Sequence, residues 1–177
     1  MEGPGAGGRP AVTLMELQGK RVVVIGLGAS NVPLVKYLLK KGARVVAADQ
    51  KPAAELGEAG RALAGLPITM HLGRDYLARA LREEAEMVFL TPGMRKDLPE
   101  LKAARERGVQ FWSEMRLFFH LCRAPILAVT GTSGKTTTTT LLGEMIRAAG
   151  FQTYVGGNIG SPLIEQVEEI PPEARVV

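Results

Sequence analysis

The sequence predicts an α/β protein in which a parallel-sheet unit is followed by the start of a second α/β unit. Three observations support this prediction. Short apolar runs of strand length alternate with segments of helical periodicity from residue 21 onward. Two glycine-rich turns each join such a strand to such a helix. Alternation of this kind is typical of parallel strands joined by right-handed crossovers.

The composition fits a globular protein and excludes several other classes. The 177 residues are 46% hydrophobic, which allows a packed core. No apolar run reaches the roughly 18 residues that a membrane-spanning helix needs. A single cysteine excludes a disulfide framework and a multi-cysteine zinc site. The net charge of +4 and the few aromatic residues do not indicate a nucleic-acid partner. We expect a cytoplasmic, monomeric protein with neither a nucleic-acid nor a membrane partner.

The first 14 residues are rich in glycine and proline and lack periodicity, so we expect 1–14 to be a flexible lead-in. Met15 is an alternative start. The first ordered unit is expected over residues 15–112, beginning with the apolar run VVVI at 22–25, which is typical of a strand buried on both faces. A helical stripe over 32–41 then ends at Gly42. The further predicted strands are 44–48, 68–70, 87–90 and 109–111, and the further predicted helices are 55–64, 76–84 and 98–107.

A second unit is expected over residues 113–177. Ser113 and Glu114 suit the N-terminus of a helix whose apolar body is 115–121. The predicted strands of this unit are 126–129, 153–155 and 174–177, and its further helices are 136–149 and 162–169. Because the chain stops inside an apolar strand, we expect this unit to be incomplete.

The loop GTSGKTT at 131–137 is the most specific chemical signal, because it lies directly between a predicted strand and a predicted helix. In that position backbone N–H groups and the helix N-terminus favour an anion. Lys135 reaches terminal phosphates and the Thr136 hydroxyl is a ligand for Mg²⁺, so these two residues are our candidate catalytic pair. The spacing departs from the usual P-loop, since Val129 stands where its first glycine is expected. The seven candidate nucleotide-binding residues are Gly131, Thr132, Ser133, Gly134, Lys135, Thr136 and Thr137.

A second glycine turn, GLGASN at 26–31, also joins a strand to a helix, and Asp49 ends the next strand. This pattern resembles a dinucleotide fingerprint in which Asn31 replaces the third glycine. It predicts a pocket for a phosphorylated ligand at the strand ends, with Asp49 near a ribose or base. A purely structural turn remains an open alternative. Two weaker turns, TPG at 91–93 and GNIG at 157–160, follow other predicted strands.

Together these motifs resemble the Mur ligases of bacterial peptidoglycan synthesis, and among them the D-glutamate-adding branch. The resemblance rests on GLGAS at 26–30, TPG at 91–93, SEMRLF at 113–118, AVTGTSGKTTTT at 128–139 and VGGNIGSPL at 155–163. It implies that 15–112 is a Rossmann-like domain for the UDP end of the substrate. It implies that 113–177 is the start of a P-loop-type central ATPase domain.

The resemblance also implies roles for single residues. The implied UDP-sugar contacts are Ala29, Ser30, Asp49, Gln50, Lys51, Thr91, Gly93 and Asn158. Lys135 and Thr136 would serve ATP and Mg²⁺, with Thr136 as the metal ligand. The implied reaction activates a carboxylate of UDP-N-acetylmuramoyl-L-alanine with ATP and joins it to D-glutamate, whose site is expected outside this chain. By itself, the chain is therefore expected to be inactive.

Three other functions remain open from the sequence. An NAD-linked oxidoreductase would use Gly26, Gly28 and Asp49, but it leaves the loop at 131–137 unexplained. A non-catalytic nucleotide-binding module would use both loops without chemistry. Another Mur or folylpolyglutamate-type ligase would share the same phosphate loop.

Overall fold

The computed structural model describes residues 17–82, 84–157 and 162–177. Its main feature is a five-stranded sheet, in which all paired strands are parallel and the order is β3-β2-β1-β4-β5. The strands are β1 (Arg21–Ile25), β2 (Arg44–Asp49), β3 (Thr69–Leu72), β4 (Met87–Leu90) and β5 (Gln110–Trp112). The chain runs outward from β1 to β3 and then returns to the other side of β1. The point where this direction reverses lies between β1 and β4.

Helices cover both faces of the sheet, which explains why β1 is a continuous apolar run. Val22, Val23 and Val24 are each 0% exposed, because the strand lies between β2 and β4 and is covered above and below. The helices of this unit are α1 (Asn31–Lys40), α2 (Gly57–Leu63), α3 (Tyr76–Leu81) and α4 (Pro99–Glu106). Two helix predictions need correction. The predicted helix at 55–64 is divided into a 3₁₀ turn, Ala53–Glu55, and α2, and the helix predicted to reach 84 ends at Leu81.

Alternate residues of each strand contribute to two hydrophobic clusters. Val22 and Val24 pack with Leu34 and Leu38 of α1, and Val23 packs on the opposite face with the helices α3 and α4. Burying side chains of this size stabilises the fold by about 1.5–3 kcal/mol each. The sheet predicted from the alternation of strands and helices is thus confirmed.

Beyond residue 112, the structure contains α5 (Glu114–Leu121), α6 (Lys135–Ala148) and a two-stranded parallel sheet of β6 (Thr153–Tyr154) and β7 (Arg175–Val176). The strand predicted at 126–129 is wrong. Among the described residues this segment forms a single bridge, between Ile126 and Val176, with hydrogen bonds from Leu127 N–H to the Val176 carbonyl and from Val176 N–H to the Pro125 carbonyl. The predicted helix 162–169 is a short 3₁₀ helix, Leu163–Gln166, preceded by Pro162. The described residues therefore contain no complete P-loop-type domain.

The 3₁₀ helix connects the later residues to the first unit. Leu163 and Ile164 belong to the same hydrophobic cluster as Leu34 and Leu38 of α1, so they help to cover one face of the five-stranded sheet. An ion pair between Lys41, directly after α1, and Glu168, two residues after the 3₁₀ helix, joins the same two regions. The hydrophobic core thus continues across the predicted boundary at residue 112.

Candidate functional site

A cavity of about 600 Å³ opens at the carboxyl ends of β1, β2 and β4, and we call it the strand-end pocket. It lies where the strand order reverses, which is the usual ligand position in open parallel sheets. The pocket is lined by Ile25, Gly26, Leu27, Gly28, Asp49, Gln50, Lys51, Leu56, Tyr76, Thr91, Pro92, Gly93, Met94, Arg95 and Leu98.

The glycine turn after β1 lies close to the turn after β4. Gly26 has φ +84°, and a Cβ placed on it would be 2.7 Å from Cγ2 of Thr91. Only glycine combines this dihedral with this close approach. Gly28 differs, because a Cβ placed there would have no heavy atom within 4 Å. The backbone N–H groups of residues 28–30 donate no hydrogen bond within the described residues and are available to an anion.

Asp49 holds the two sides of the pocket together. Its Oδ2 accepts a hydrogen bond from Leu27 N–H at 2.7 Å, and its Oδ1 accepts one from Lys51 N–H at 2.9 Å. The side chain is 9% exposed. The sequence predicted Asp49 near a ribose or base. In the structure, its carboxylate accepts hydrogen bonds from the backbone of the glycine turn and of the residues after β2, and so it shapes the pocket. A contact between Asp49 and a ribose or base stays a prediction.

Asn31 forms hydrogen bonds to the backbone where β1 meets the glycine turn. Its Nδ2 donates to the carbonyl oxygens of Ile25 at 3.2 Å and Gly26 at 2.7 Å, and the residue is 2% exposed. Its Oδ1 is buried without a partner among the described residues. The side chain that replaces the third glycine of a dinucleotide fingerprint therefore points away from the ligand side and ties the end of β1 to the start of α1.

The structure brings most of the predicted UDP-sugar residues together. Asp49, Gln50, Lys51, Thr91 and Gly93 line the strand-end pocket. Ala29 and Ser30 follow the lining residue Gly28 but do not line the cavity themselves. Asn158 lies outside the described residues. Ligand contacts by all eight residues stay predictions.

Sequence reasoning missed five lining residues: Leu56, Tyr76, Met94, Arg95 and Leu98. Met94 and Arg95 directly follow the predicted TPG turn, so their position after a strand end was an available signal. Tyr76 begins α3, and neither its spacing nor its type pointed to the pocket. Burial, then the charge of Asp49 and that of Glu100, raise the pKa of the Tyr76 hydroxyl.

The second glycine loop precedes α6, as predicted, with Gly134 at φ +75° and the helix beginning at Lys135. Lys135 Nζ donates to the carbonyl oxygen of Gly131 at 2.6 Å, so the lysine folds back over its own loop. The backbone N–H groups of residues 131–134 donate no hydrogen bond to described residues. These features suit a phosphate, since the N–H groups and the ammonium group surround one space.

A second cavity, of about 350 Å³, lies beside this loop. Lys135 and Thr136 line it, whereas the other predicted nucleotide-binding residues, Gly131, Thr132, Ser133, Gly134 and Thr137, do not. Most of its remaining wall is apolar and includes Phe118 and Phe119. Glu114 also faces this cavity, and burial raises the pKa of its carboxyl to about 7.

No group of three histidine, cysteine or acidic residues suitable for a metal ion occurs in the part of the chain that the structure describes. Thr136 as a magnesium ligand therefore stays a prediction. Cys122 is buried, as expected for a small packing residue. His120 packs edge-on against Trp112, with ring centroids 5.9 Å apart. Across the described ranges, we find no helix with the length and apolar character that a bilayer crossing requires.

Comparisons with known proteins give consistent results for this chain. The family model described as Mur ligase MurD-like, N-terminal domain, matches residues 20–113. A protein of Symbiobacterium thermophilum, named UDP-N-acetylmuramoylalanine--D-glutamate ligase, is 53% identical over 158 residues, covering 89% of this chain and 34% of that protein. A protein of the same name from Ruminiclostridium cellulolyticum is 44% identical over 162 residues, covering 92% and 34%. The chain thus spans about a third of the length of these relatives.

Solved structures also resemble the fold. Among them is the UDP-N-acetylmuramate:L-alanyl-gamma-D-glutamyl-meso-diaminopimelate ligase from Neisseria meningitides, with a TM-score of 0.55 and 22% sequence identity. The match covers 89% of this chain and 52% of that one. At this identity it supports the α/β architecture only.

Proposed function

This chain belongs to the Mur ligases with a MurD-like N-terminal domain, and we propose that it carries the nucleotide-binding part of a ligase that adds D-glutamate to UDP-N-acetylmuramoyl-L-alanine. Its strand-end pocket holds the UDP end of that substrate. Its loop at 131–137 holds the phosphates of ATP. The protein acts in the cytoplasm, in peptidoglycan synthesis.

The observation that carries this proposal is the preformed strand-end pocket within the region that the family model matches. Leu27 N–H and Lys51 N–H are both fixed by Asp49, so the glycine turn and the end of β2 have defined positions before any ligand arrives. Preorganisation of this kind reduces the ordering cost of binding.

In this proposal, the UDP moiety contacts both walls of the pocket. Gln50 and Lys51 at the end of β2 lie beside the uridine, and Thr91 and Gly93 border it from the end of β4. The N–H groups of Ala29 and Ser30 face the diphosphate near the N-terminus of α1, where the helix dipole favours negative charge. Asn158 completes the contacts on the sugar side.

ATP and Mg²⁺ fit the second glycine loop. The unbonded N–H groups of residues 131–134 and the ammonium group of Lys135 supply positive potential, and the Thr136 hydroxyl supplies a metal ligand. When bound, ATP supplies the phosphoryl group that activates the substrate carboxylate for attack by the amine of D-glutamate, giving an amide, ADP and phosphate. Lys135 leaves the Gly131 carbonyl and neutralises phosphate charge, while the loop fixes the orientation of the phosphates. No described residue is assigned to D-glutamate.

The bonds of Asp49 also bear on the NAD-linked alternative. In that reading, the acidic residue at the end of the second strand accepts hydrogen bonds from ribose hydroxyls. Here both of its oxygens already accept backbone hydrogen bonds. Each oxygen keeps a further lone pair, so these bonds alone do not separate NAD from UDP. The loop at 131–137, which an NAD-linked enzyme leaves without a role, favours the ligase.

Thermal unfolding tests the identity of the ligand. We expect UDP-N-acetylmuramoyl-L-alanine to raise the melting temperature of the 177-residue chain, because it binds the folded state alone. NAD at equal concentration should have no effect. Stabilisation by NAD, together with no response to the UDP substrate, would reverse the assignment.

Isothermal titration tests the ATP loop. Lys135→Ala should weaken Mg·ATP binding by at least tenfold, since the phosphates lose a charge-assisted hydrogen bond. Lys102→Ala, an exposed lysine on α4, serves as the matched control and should bind Mg·ATP like the unmodified chain. Equal affinities for the two variants would remove Lys135 from the mechanism.

A further inference from the structure

The rim of the strand-end pocket on the β4 side carries an arginine to which no role has yet been given. Arg95 lies two residues beyond Gly93 and lines the cavity. Its side chain is 75% exposed, so the guanidinium group is accessible to a ligand that enters the pocket. Residues 26–28 of the glycine turn also line this cavity, and they follow β1, which is the neighbour of β4 in the sheet.

Arg95 already binds an anionic group in this structure. Its Nε donates to Oδ1 of Asp97 at 3.1 Å, and its Nη2 donates to Oδ2 at 2.8 Å. These two parallel bonds are the fork geometry that arginine offers to carboxylates and phosphates alike. The hydrogen bond from Arg95 also lowers the pKa of the Asp97 carboxyl, so this partner remains an anion at neutral pH. The carboxylate of Asp97 therefore uses the same donors of Arg95 that a ligand phosphate would use.

The surroundings of Arg95 favour a negatively charged ligand. Lys51 lies on the β2 side of the same cavity, and its side chain is exposed. Asp49, the acidic residue of the lining, has both carboxylate oxygens bound to backbone N–H groups. The N–H groups of residues 28–30 add donors near the N-terminus of α1. The rim thus combines the exposed cationic side chains of Lys51 and Arg95 with backbone N–H donors.

We propose that Arg95 is an affinity- and specificity-determining residue that exchanges Asp97 for the diphosphate of the nucleotide bound in the strand-end pocket. This inference rests on the proposed function, because it takes a UDP-bearing ligand as the occupant. Asp97 acts as the resting partner of Arg95, holding the guanidinium group at the rim while the pocket is empty. Breaking the Arg95–Asp97 pair costs little free energy, since an exposed ion pair contributes little stability. A diphosphate, with its higher charge, is the stronger competitor for the fork.

The test is calorimetric titration of the 177-residue chain with UDP and, separately, with uridine, which lacks phosphates. We expect Arg95→Gln to weaken UDP binding by about tenfold, the loss of one charge-assisted contact. Uridine binding should be unchanged. Arg95→Lys should retain part of the affinity for UDP, because it keeps the charge but loses the fork. Lys96→Gln, a neighbouring exposed lysine that does not line the pocket, is the matched control and should bind both ligands normally.

Two further measurements examine the exchange itself. Asp97→Asn should tighten UDP binding by about two- to threefold, because the competing carboxylate is removed while the exposed pair was weak. The dependence of UDP affinity on salt should become shallower in Arg95→Gln, since one cation fewer faces the diphosphate. Melting temperatures of all four variants verify that each remains folded.

The possible outcomes separate this inference from the proposed function. If the unmodified chain and Arg95→Gln bind UDP equally, the role of Arg95 is wrong while the UDP pocket stands. If Arg95→Gln loses UDP and uridine affinity to the same degree, the arginine acts on the nucleoside or on the fold, and the diphosphate contact is wrong. If the unmodified chain binds neither ligand, the proposed function fails and the inference fails with it.

Discussion

The two glycine loops of this protein occupy equivalent places at the start of a helix, yet they are held very differently. Two buried side chains hold the turn at 26–30 through hydrogen bonds to its backbone: Asp49 accepts from an N–H group, and Asn31 donates to carbonyl oxygens. The loop at 131–134 has one such contact, from Lys135 to Gly131, and that contact is exposed. The first loop is therefore a preformed wall, whereas the second keeps its donors uncommitted.

The packing around the two loops shows the same contrast. Helix α1 buries Leu34 and Leu38 completely against the five-stranded sheet. Helix α6 buries only Thr139 and Gly143, and it leaves Leu141 59% and Met145 60% exposed. Two glycine-rich turns before a helix are thus held to different degrees, because only the first is hydrogen-bonded by buried side chains of neighbouring elements, Asp49 and Asn31. Substitutions at these bracing points test the comparison.

Gly26→Ala should have the largest effect on stability. Alanine at this position would have to adopt φ +84°, and its methyl group would lie 2.7 Å from Thr91 Cγ2. We therefore expect the free energy of unfolding to fall by about 2–4 kcal/mol. Urea denaturation measures this loss. The matched variant is Gly28→Ala, which has no atom within 4 Å of its new methyl group and should unfold like the unmodified chain. It should instead weaken UDP binding, because the methyl group faces the strand-end pocket. Equal stability losses in the two variants would contradict a wall fixed at Gly26.

Asp49→Ala should have the second largest effect. It leaves the N–H groups of Leu27 and Lys51 without their acceptor, which costs about 2–3 kcal/mol. Hydrogen exchange should show the largest loss of protection at those two amides, and in β1 a smaller loss that follows the change in global stability. Glu106→Ala, at an exposed position on α4, is the control and should change stability by less than about 0.5 kcal/mol. If both variants are equally stable, Asp49 does not brace the turn.

These bracing contacts also show the limits of what the sequence predicted. Buried strands such as 22–25 were predictable because four apolar residues between polar ends have few alternatives to a central strand. Thr91 was placed near the pocket because residues that follow parallel strands meet at one edge of the sheet. Gln50 and Lys51 were placed there only by the resemblance to Mur ligases, although both also follow a strand. The partner of Asp49 was not predictable, since Leu27 lies 22 residues away and offers only a backbone N–H.

The later region was less predictable for a related reason. The apolar run at 126–129 has the pattern of a strand, but a strand needs a ladder of partners. Within the part of the chain that the structure describes, Val176 is the one bridge partner of this run. The segment after Pro162 has an apolar stripe yet forms one short 3₁₀ helix. Local pattern therefore described α1 and β1 well, where tertiary contacts agree with it, and failed where the contacts that complete an element are few.

Glu114 gives a smaller, pH-dependent test of the later region. Burial raises the pKa of its carboxyl from 4.5 to about 7, so the folded protein binds more protons than the unfolded chain between these values. Its contribution to stability is therefore largest at low pH and decreases as pH rises through that window. Because the group is partly exposed, we expect a decrease of only about 1 kcal/mol.

Glu114→Gln should abolish this pH dependence. The variant should match the unmodified chain at pH 4 and exceed its stability at pH 8, as measured by urea denaturation at a series of pH values. Glu165→Gln, at an exposed position, should follow the curve of the unmodified chain. A Glu114→Gln curve parallel to that of the unmodified chain at all pH values would show that this carboxyl is solvated.

The smallest expected effect concerns the contact between the two regions. Glu168 pairs with Lys41, which directly follows α1, and Lys41 Nζ also lies 5.6 Å from the centroid of the Tyr37 ring. Because the pair is partly exposed, Glu168→Gln should lower stability by only about 0.5 kcal/mol, and high salt should remove the difference. Glu169→Gln, the exposed neighbour, is the control and should have no effect.

The informative part of this experiment is the agreement between probes. Fluorescence of the single tryptophan, Trp112, reports the end of the five-stranded sheet, whereas far-UV circular dichroism reports the whole chain. Since Leu163 and Ile164 share a core cluster with α1, we expect the Glu168→Gln loss to be equal by both probes. In that case the 3₁₀ helix unfolds together with the sheet, even though the loop at 131–134, which lies between them in the sequence, has few contacts. A loss seen by circular dichroism alone would mean that residues 163–176 unfold independently, and the contrast between the two loops would extend to the whole later region.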